Sequence, residues 1–181
     1  EGYGSMAYTV HNLERMRTKT LAVVCCDSPS ENYDLATTTL QISSNFNACP
    51  SFTDAVFPEV VGRYYTTYAP SKLWVQRGFM GGLDNFFGDP MIGVPINAMY
   101  MANGSHHHHN SMDTIGSVDP RTLEEQSVLQ AAYMYFLADA DESDVPYIAG
   151  LAFDRGIEII TGKAADARTE ILAAKDGESV G

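Results

Sequence analysis

Apolar positions along the chain keep a helical spacing in some stretches and crowd into short runs in others. Over residues 3–17, Met6, Val10, Leu13 and Met16 form one stripe, and Arg15, Arg17 and Lys19 suit the carboxyl end of a helix. Residues 20–26 are a run of strand formers stopped by Asp27-Ser28-Pro29, which predicts a buried strand with a polar end. Residues 30–33 read as loop, and 37–42 alternate as a second strand. Pro50-Ser51 opens a helix over 52–68, with Ser51 as its N-cap and Pro58 starting it late or bending it. Residues 72–76 read as a strand, 78–89 as a shaped glycine- and aromatic-rich loop, and Gly93-Val94-Pro95-Ile96 as the centre of a further strand. Asp119-Pro120 places a cap and a first-turn proline before a helix that Leu123, Ala131, Tyr135 and Ala138 carry to Ala140. Two more helices follow, over 146–161 and 164–175.

Strands alternating with helices predict an α/β layer around a largely parallel sheet. Ligands of such sheets gather outside the carboxyl ends of the strands. Asp27 ends one strand, and His109 lies in the loop after another. A carboxylate and an imidazole converging there suit a metal such as zinc, which accepts both. Taken singly, Asp27 also reads as a turn residue and His109 as a solvated one.

Composition narrows the picture. With 181 residues, 45% of them hydrophobic and 19% charged, the chain suits one folded domain. A formal net charge of −12 argues against nucleic acid, whose phosphates need a basic footprint. No apolar run reaches the ~20 residues of a membrane span. Three cysteines make no disulfide framework: Cys25 and Cys26 read as buried free thiols, Cys49 as a loop thiol, and the redox compartment stays open.

Four of the five histidines are consecutive, His106 to His109. Gly104-Ser105 before them gives the look of a purification-tag scar. The run, however, leads into a shaped turn and a long helix, which fits a natural segment with one functional histidine and three solvated neighbours.

His109-Asn110-Ser111-Met112-Asp113-Thr114, followed by Val118-Asp119-Pro120, resembles the closing motif of the zinc-dependent aminopeptidases of peptidase family 28. Gly81-Gly82-Leu83-Asp84-Asn85-Phe86-Phe87 with Gly93-Val94-Pro95 resembles the family's Ser-Asp-His…Phe…Gly-Ile-Pro region. Residues 23–27 resemble its strand ending in a zinc-binding aspartate, and Glu1-Gly2-Tyr3-Gly4-Ser5 its Glu-rich motif ending in Gly-Ser. The likeness spans residues 1–140, the C-terminal part of a catalytic domain, with 141–181 as a helical extension of the same domain.

The resemblance implies a three-layer α/β/α sandwich around a mostly parallel mixed sheet, and a site of two zinc ions. Carried over by position, Asp27 and His109 would each bind zinc, and Glu1 would be a ligand or the general base. In such a site zinc brings the pKa of a bound water toward ~7, and a glutamate carries its proton to the leaving amine. Asp113 would orient the His109 imidazole or merely brace the loop, and Phe79, Phe86 and Phe87 would line a pocket for an apolar side chain of a peptide substrate. Asn85 stands where the family often has a non-ligand histidine. The family's upstream His-x-Asp has no counterpart here, since His11 falls inside a predicted helix. The expectation is therefore an incomplete site that needs the N-terminal half of the domain. A noncatalytic domain of this fold, used for binding or assembly, is the alternative. A histidine-rich metal binder without catalysis is the third reading.

Overall fold

The computed structural model describes residues 2–28, 30–33, 39–101 and 109–174. Its elements in chain order are α1 (Tyr3–Lys19), β1 (Val23–Asp27), β2 (Leu40–Ser43), α2 (Thr53–Tyr68), β3 (Trp74–Arg77), β4 (Ile96–Tyr100), α3 (Pro120–Asp139) and α4 (Val145–Ala173). Short 3-10 turns occupy Asn85–Gly88 and Ile115–Ser117. Glu1, Pro29, residues 34–38, His106 to His108 and the chain beyond Ala174 lie outside the described residues.

The fold is α/β with a mixed sheet in the order β1-β4-β2-β3. The β1–β4 and β2–β3 pairs are parallel, and β2 runs antiparallel to β4. In register, Val23 faces Ile96 and Asp27 faces Tyr100, while Gln41 faces Tyr100 from the other side. The carboxyl ends of β1 and β4 therefore share one end of the sheet with the amino ends of β2 and β3.

Alternation of side chains divides the sheet into two faces. Leu40, Ile42, Met99 and Met101 point into a core with Val56, Phe57, Val61 and Tyr65 of α2 and Leu129 and Tyr133 of α3. Phe57 and Tyr133 meet with ring centroids 4.6 Å apart. The opposite face carries Cys25, Asp27, Ile96, Ala98 and Tyr100. It receives the Asn85–Gly88 turn, where a Cβ on Gly88 would lie 3.2 Å from both Ile96 Cγ2 and Asn45 Oδ1.

The start of α2 is held by a buried carboxylate rather than by the expected cap. Asp54 Oδ1 accepts from the Asn45 backbone N–H (2.7 Å), Asn45 Nδ2 (2.9 Å) and Asn97 Nδ2 (3.2 Å), and Oδ2 accepts from the Ser51 backbone N–H (3.0 Å). Ser51 lies one residue outside the cap position, and its hydroxyl accepts from Thr53 N–H. Pro58 sits inside the helix and neither delays nor ends it. Proline lacks the N–H that would bond the carbonyl four residues back. That carbonyl, on Asp54, instead accepts from Gln76 Nε2 at 2.8 Å.

Several expectations are corrected. The buried face of α3 is Thr122, Glu125, Gln126, Leu129 and Tyr133, whereas Leu123 and Tyr135 of the predicted stripe are 45% and 69% exposed. On α1 the buried positions are Thr9 and Met16, with Leu13 half-buried between them, and Met6 and Val10 face outward. The fourth strand begins at Ile96, later than predicted, because Gly93 takes φ +73° and Pro95 has no ladder N–H. The two helices expected after residue 145 are one, since an internal Gly162 costs only ~1 kcal/mol and does not stop α4. Asp119 caps α3 as expected, accepting from Arg121 N–H at 2.9 Å. The Arg121 guanidinium, 2.8 Å away, holds the Asp119 carboxyl down to about 2.

Candidate functional site

Asp27 is the last residue of β1, half-buried, on the sheet face opposite α2 and α3. The strand pattern puts it there: odd-numbered residues of β1 share that face, and Asp27 breaks the apolar run where the chain turns away. Ser28 follows with φ +48° and donates its hydroxyl to Asp27 Oδ1 at 3.0 Å. Burial raises the pKa of the adjacent Tyr100 phenol, and the negative charges of Asp27 and Glu31 raise it further.

Glu31 is a group that sequence reasoning passed over as loop. Its backbone bridges to Val118, just ahead of the α3 cap, and its Oε2 is buried without a hydrogen-bond partner among the described residues. An unpaired buried carboxylate oxygen is costly, so it marks a place where a cation or donor would be favoured. Asp84, in the loop that packs near Cys25, is exposed and paired. It accepts from the Ser5 hydroxyl at 2.9 Å and lies 3.4 Å from where a Cβ on Gly2 would sit, at the amino end of α1. Gly2 has φ +83°, a conformation that glycine adopts without strain. Thus the Gly2–Ser5 segment and the Asp84 loop meet.

His109 also has a left-handed backbone, φ +59°, and is exposed. The turn after it is self-braced: Asn110 Oδ1 accepts from Met112 N–H at 2.8 Å, and Asn110 O from Asp113 N–H at 3.1 Å. Asp113 Oδ1 accepts from the Ser117 hydroxyl at 3.2 Å, which braces the turn. Asn85 is buried and donates to Met80 O at 2.9 Å, stapling its own loop. Phe79 stacks on Phe46 (centroids 3.6 Å apart) and Phe86 on Phe87 (4.7 Å), all four half-buried.

Among the described residues, no three His, Cys, Asp or Glu side chains stand close enough together to hold a metal ion. Glu1 and His106 to His108 lie outside those residues. The donors present suit zinc in kind, a carboxylate at a strand end, an orphaned carboxylate oxygen and an imidazole in the turn ahead of α3, but they do not close a coordination shell by themselves.

The thiols next to Asp27 are poor ligands at neutral pH. Burial, then the charge of Asp27, pushes Cys25 up to about 11, partly offset by the Asp84 backbone N–H; burial also raises Cys26. All three cysteines are free, and Cys26 is exposed rather than buried because β1 is an edge strand. In a Cys49→Ser background, modification of Cys25 and Cys26 by a thiol-reactive disulfide should be much slower at neutral pH than for free cysteine. It should accelerate only above the ordinary thiol value of 9.0. Labelling at the free-cysteine rate at pH 7 would refute this protonation state.

Among models of known protein families, curated proteins and solved structures, none matches this chain. No helix among the described residues is long and apolar enough to cross a membrane.

Proposed function

We propose that this chain forms part of the catalytic domain of a zinc-dependent exopeptidase resembling the family 28 aminopeptidases. It would supply Asp27, His109 and Glu1 to a site whose other ligands come from residues outside it. The observation that supports the reading is the half-buried carboxylate at the carboxyl end of β1. Asp27 ends the edge strand β1, its charge and that of Glu31 both act on the Tyr100 phenol, and the His109 turn lies ahead of the cap of α3. A three-layer arrangement, with α1 on the Asp27 side of the sheet and α2 and α3 on the other, suits this reading.

Zinc, when bound, would supply a hydroxide at neutral pH and polarise the scissile carbonyl. The chain's own residues prepare for it. Asp27 is held by the Ser28 hydroxyl at the sheet edge. The His109 turn is fixed by Asn110 and by the Asp113–Ser117 bond, so the imidazole is presented from a braced loop.

Zinc titration of the complete domain tests the proposal. Asp27→Ala and His109→Ala should each weaken one of two zinc sites by more than ~10-fold and abolish peptide hydrolysis. Zinc uptake that survives Asp27→Ala but is lost on replacing His106 to His109 would identify a histidine-rich metal binder instead. Full stoichiometry and activity in both single variants would exclude the assignment.

A further inference from the structure

The longest helix, α4, spans 29 residues, about 44 Å, yet none of its residues is buried. Only its first turns dock: Ile148 and Leu151 pack against the core, and Tyr147 donates to Glu59 on α2. An isolated helical segment is marginal in water unless an apolar face finds a partner.

The opposite side of this helix carries Phe153, Ile157, Ile160, Ala164, Ala167 and Ile171, spaced alternately by four and three residues. This is the 3.5-residue repeat of a coiled-coil seam. At 100° per residue the seam lies about 150° around the helix from Ile148 and Leu151, so it faces solvent. Phe153 is 68% exposed, Ile160 67% and Ile171 62%. Charge is low here too: residues 145–173 hold four acidic and three basic side chains, in a chain with a net charge of −12.

We infer that this seam is the interface of a homodimer in which two copies of α4 pack antiparallel. Size complementarity selects the direction. An antiparallel pair sets Ile157 against Ala167, Ile160 against Ala164 and Phe153 against Ile171 of the second copy, so large faces small through the centre. A parallel pair would stack alanine on alanine and isoleucine on isoleucine. Charge selects it as well. The flanking positions bring Asp154 beside Arg168 of the second copy, twice by symmetry, whereas a parallel pair sets Lys163 beside Arg168. In the antiparallel pair Lys163 meets its own copy only at the exposed edge of the twofold axis.

Sedimentation equilibrium of the chain, with its helicity followed by circular dichroism, decides the matter. The parent should be dimeric, and Ile160→Asp should make it monomeric without unfolding the core. Asp154→Arg should raise the dimer Kd by about tenfold or more, and Asp154→Arg with Arg168→Asp should bring it back to within about threefold of the parent. A monomeric parent, a dimer indifferent to Ile160→Asp, or a double variant no tighter than the single one would overturn the inference.

Discussion

Replacing Asp54 by alanine should lower the unfolding free energy by about 3–5 kcal/mol, the largest effect expected of any single polar substitution in this chain. The carboxylate is 5% exposed and takes four hydrogen bonds, from the backbone of Asn45 and Ser51 and the side-chain amides of Asn45 and Asn97. Alanine leaves four donors facing a void in a region that also contains the buried Thr53 and Asn97. Because those donors belong to β4, the segment after β2 and the approach to α2, the loss loosens three elements together. Asp54→Asn fares little better, since one oxygen becomes a donor that faces other donors. Urea unfolding followed by circular dichroism gives the number. A change below about 1 kcal/mol would mean that water or a shifted Asn45 re-satisfies the site.

The second large effect is expected at Glu125, on the inward face of α3. Its Oε1 accepts from Tyr65 Oη at 2.6 Å and more weakly from Tyr33 Oη at 3.4 Å, and its Oε2 receives Lys72 Nζ at 2.7 Å. Burial pushes the Tyr33 phenol up to about 12, with the bond to Glu125 adding to it, and Tyr65 is raised for the same reasons. Both tyrosines therefore stay protonated and keep donating across the physiological range. Glu125→Ala removes the charged acceptor of Tyr65 and of Lys72 together, leaving Tyr65 only the Tyr33 hydroxyl at 3.1 Å, and should cost about 2–4 kcal/mol. Glu125→Gln, which keeps an acceptor for Tyr65, should cost roughly half of that. Equal losses in the two variants would show that the Lys72 pairing, not the tyrosine bond, carries the effect.

These two residues also explain where the sequence could be read and where it could not. Asp119-Pro120 announces the start of α3 because a cap and a first-turn proline act locally. The face that α3 buries could not be found by apolar spacing, because it is made of Thr122, Glu125 and Gln126 alongside Leu129 and Tyr133. Such a face is stabilised by bonds to Tyr65 and Lys72, residues far off in the chain. Pro58 reads as a breaker, and its tolerance depends on Gln76, which arrives from β3 to take the freed carbonyl. At the candidate site, Asp27 is legible as the polar end of an apolar run. Tyr100 becomes its neighbour only because β4 inserts beside β1 across some seventy residues of chain, a pairing that no local pattern encodes. Asn85 shows the converse: a position suggested by resemblance turns out to staple its loop.

The edge position of β1 gives Asp27 another consequence. Residues 21–26 read Leu-Ala-Val-Val-Cys-Cys, β-prone, uncharged and without proline, and one side of the strand has no partner among the described residues. Natural sheets guard such borders with charge, and here the first charge along the strand is Asp27 itself. The carboxylate proposed to hold zinc thus also acts as the gatekeeper against edge-to-edge stacking of copies. Neutralising it should shorten the time the chain remains clear in concentrated solution, while His109→Ala leaves that property untouched.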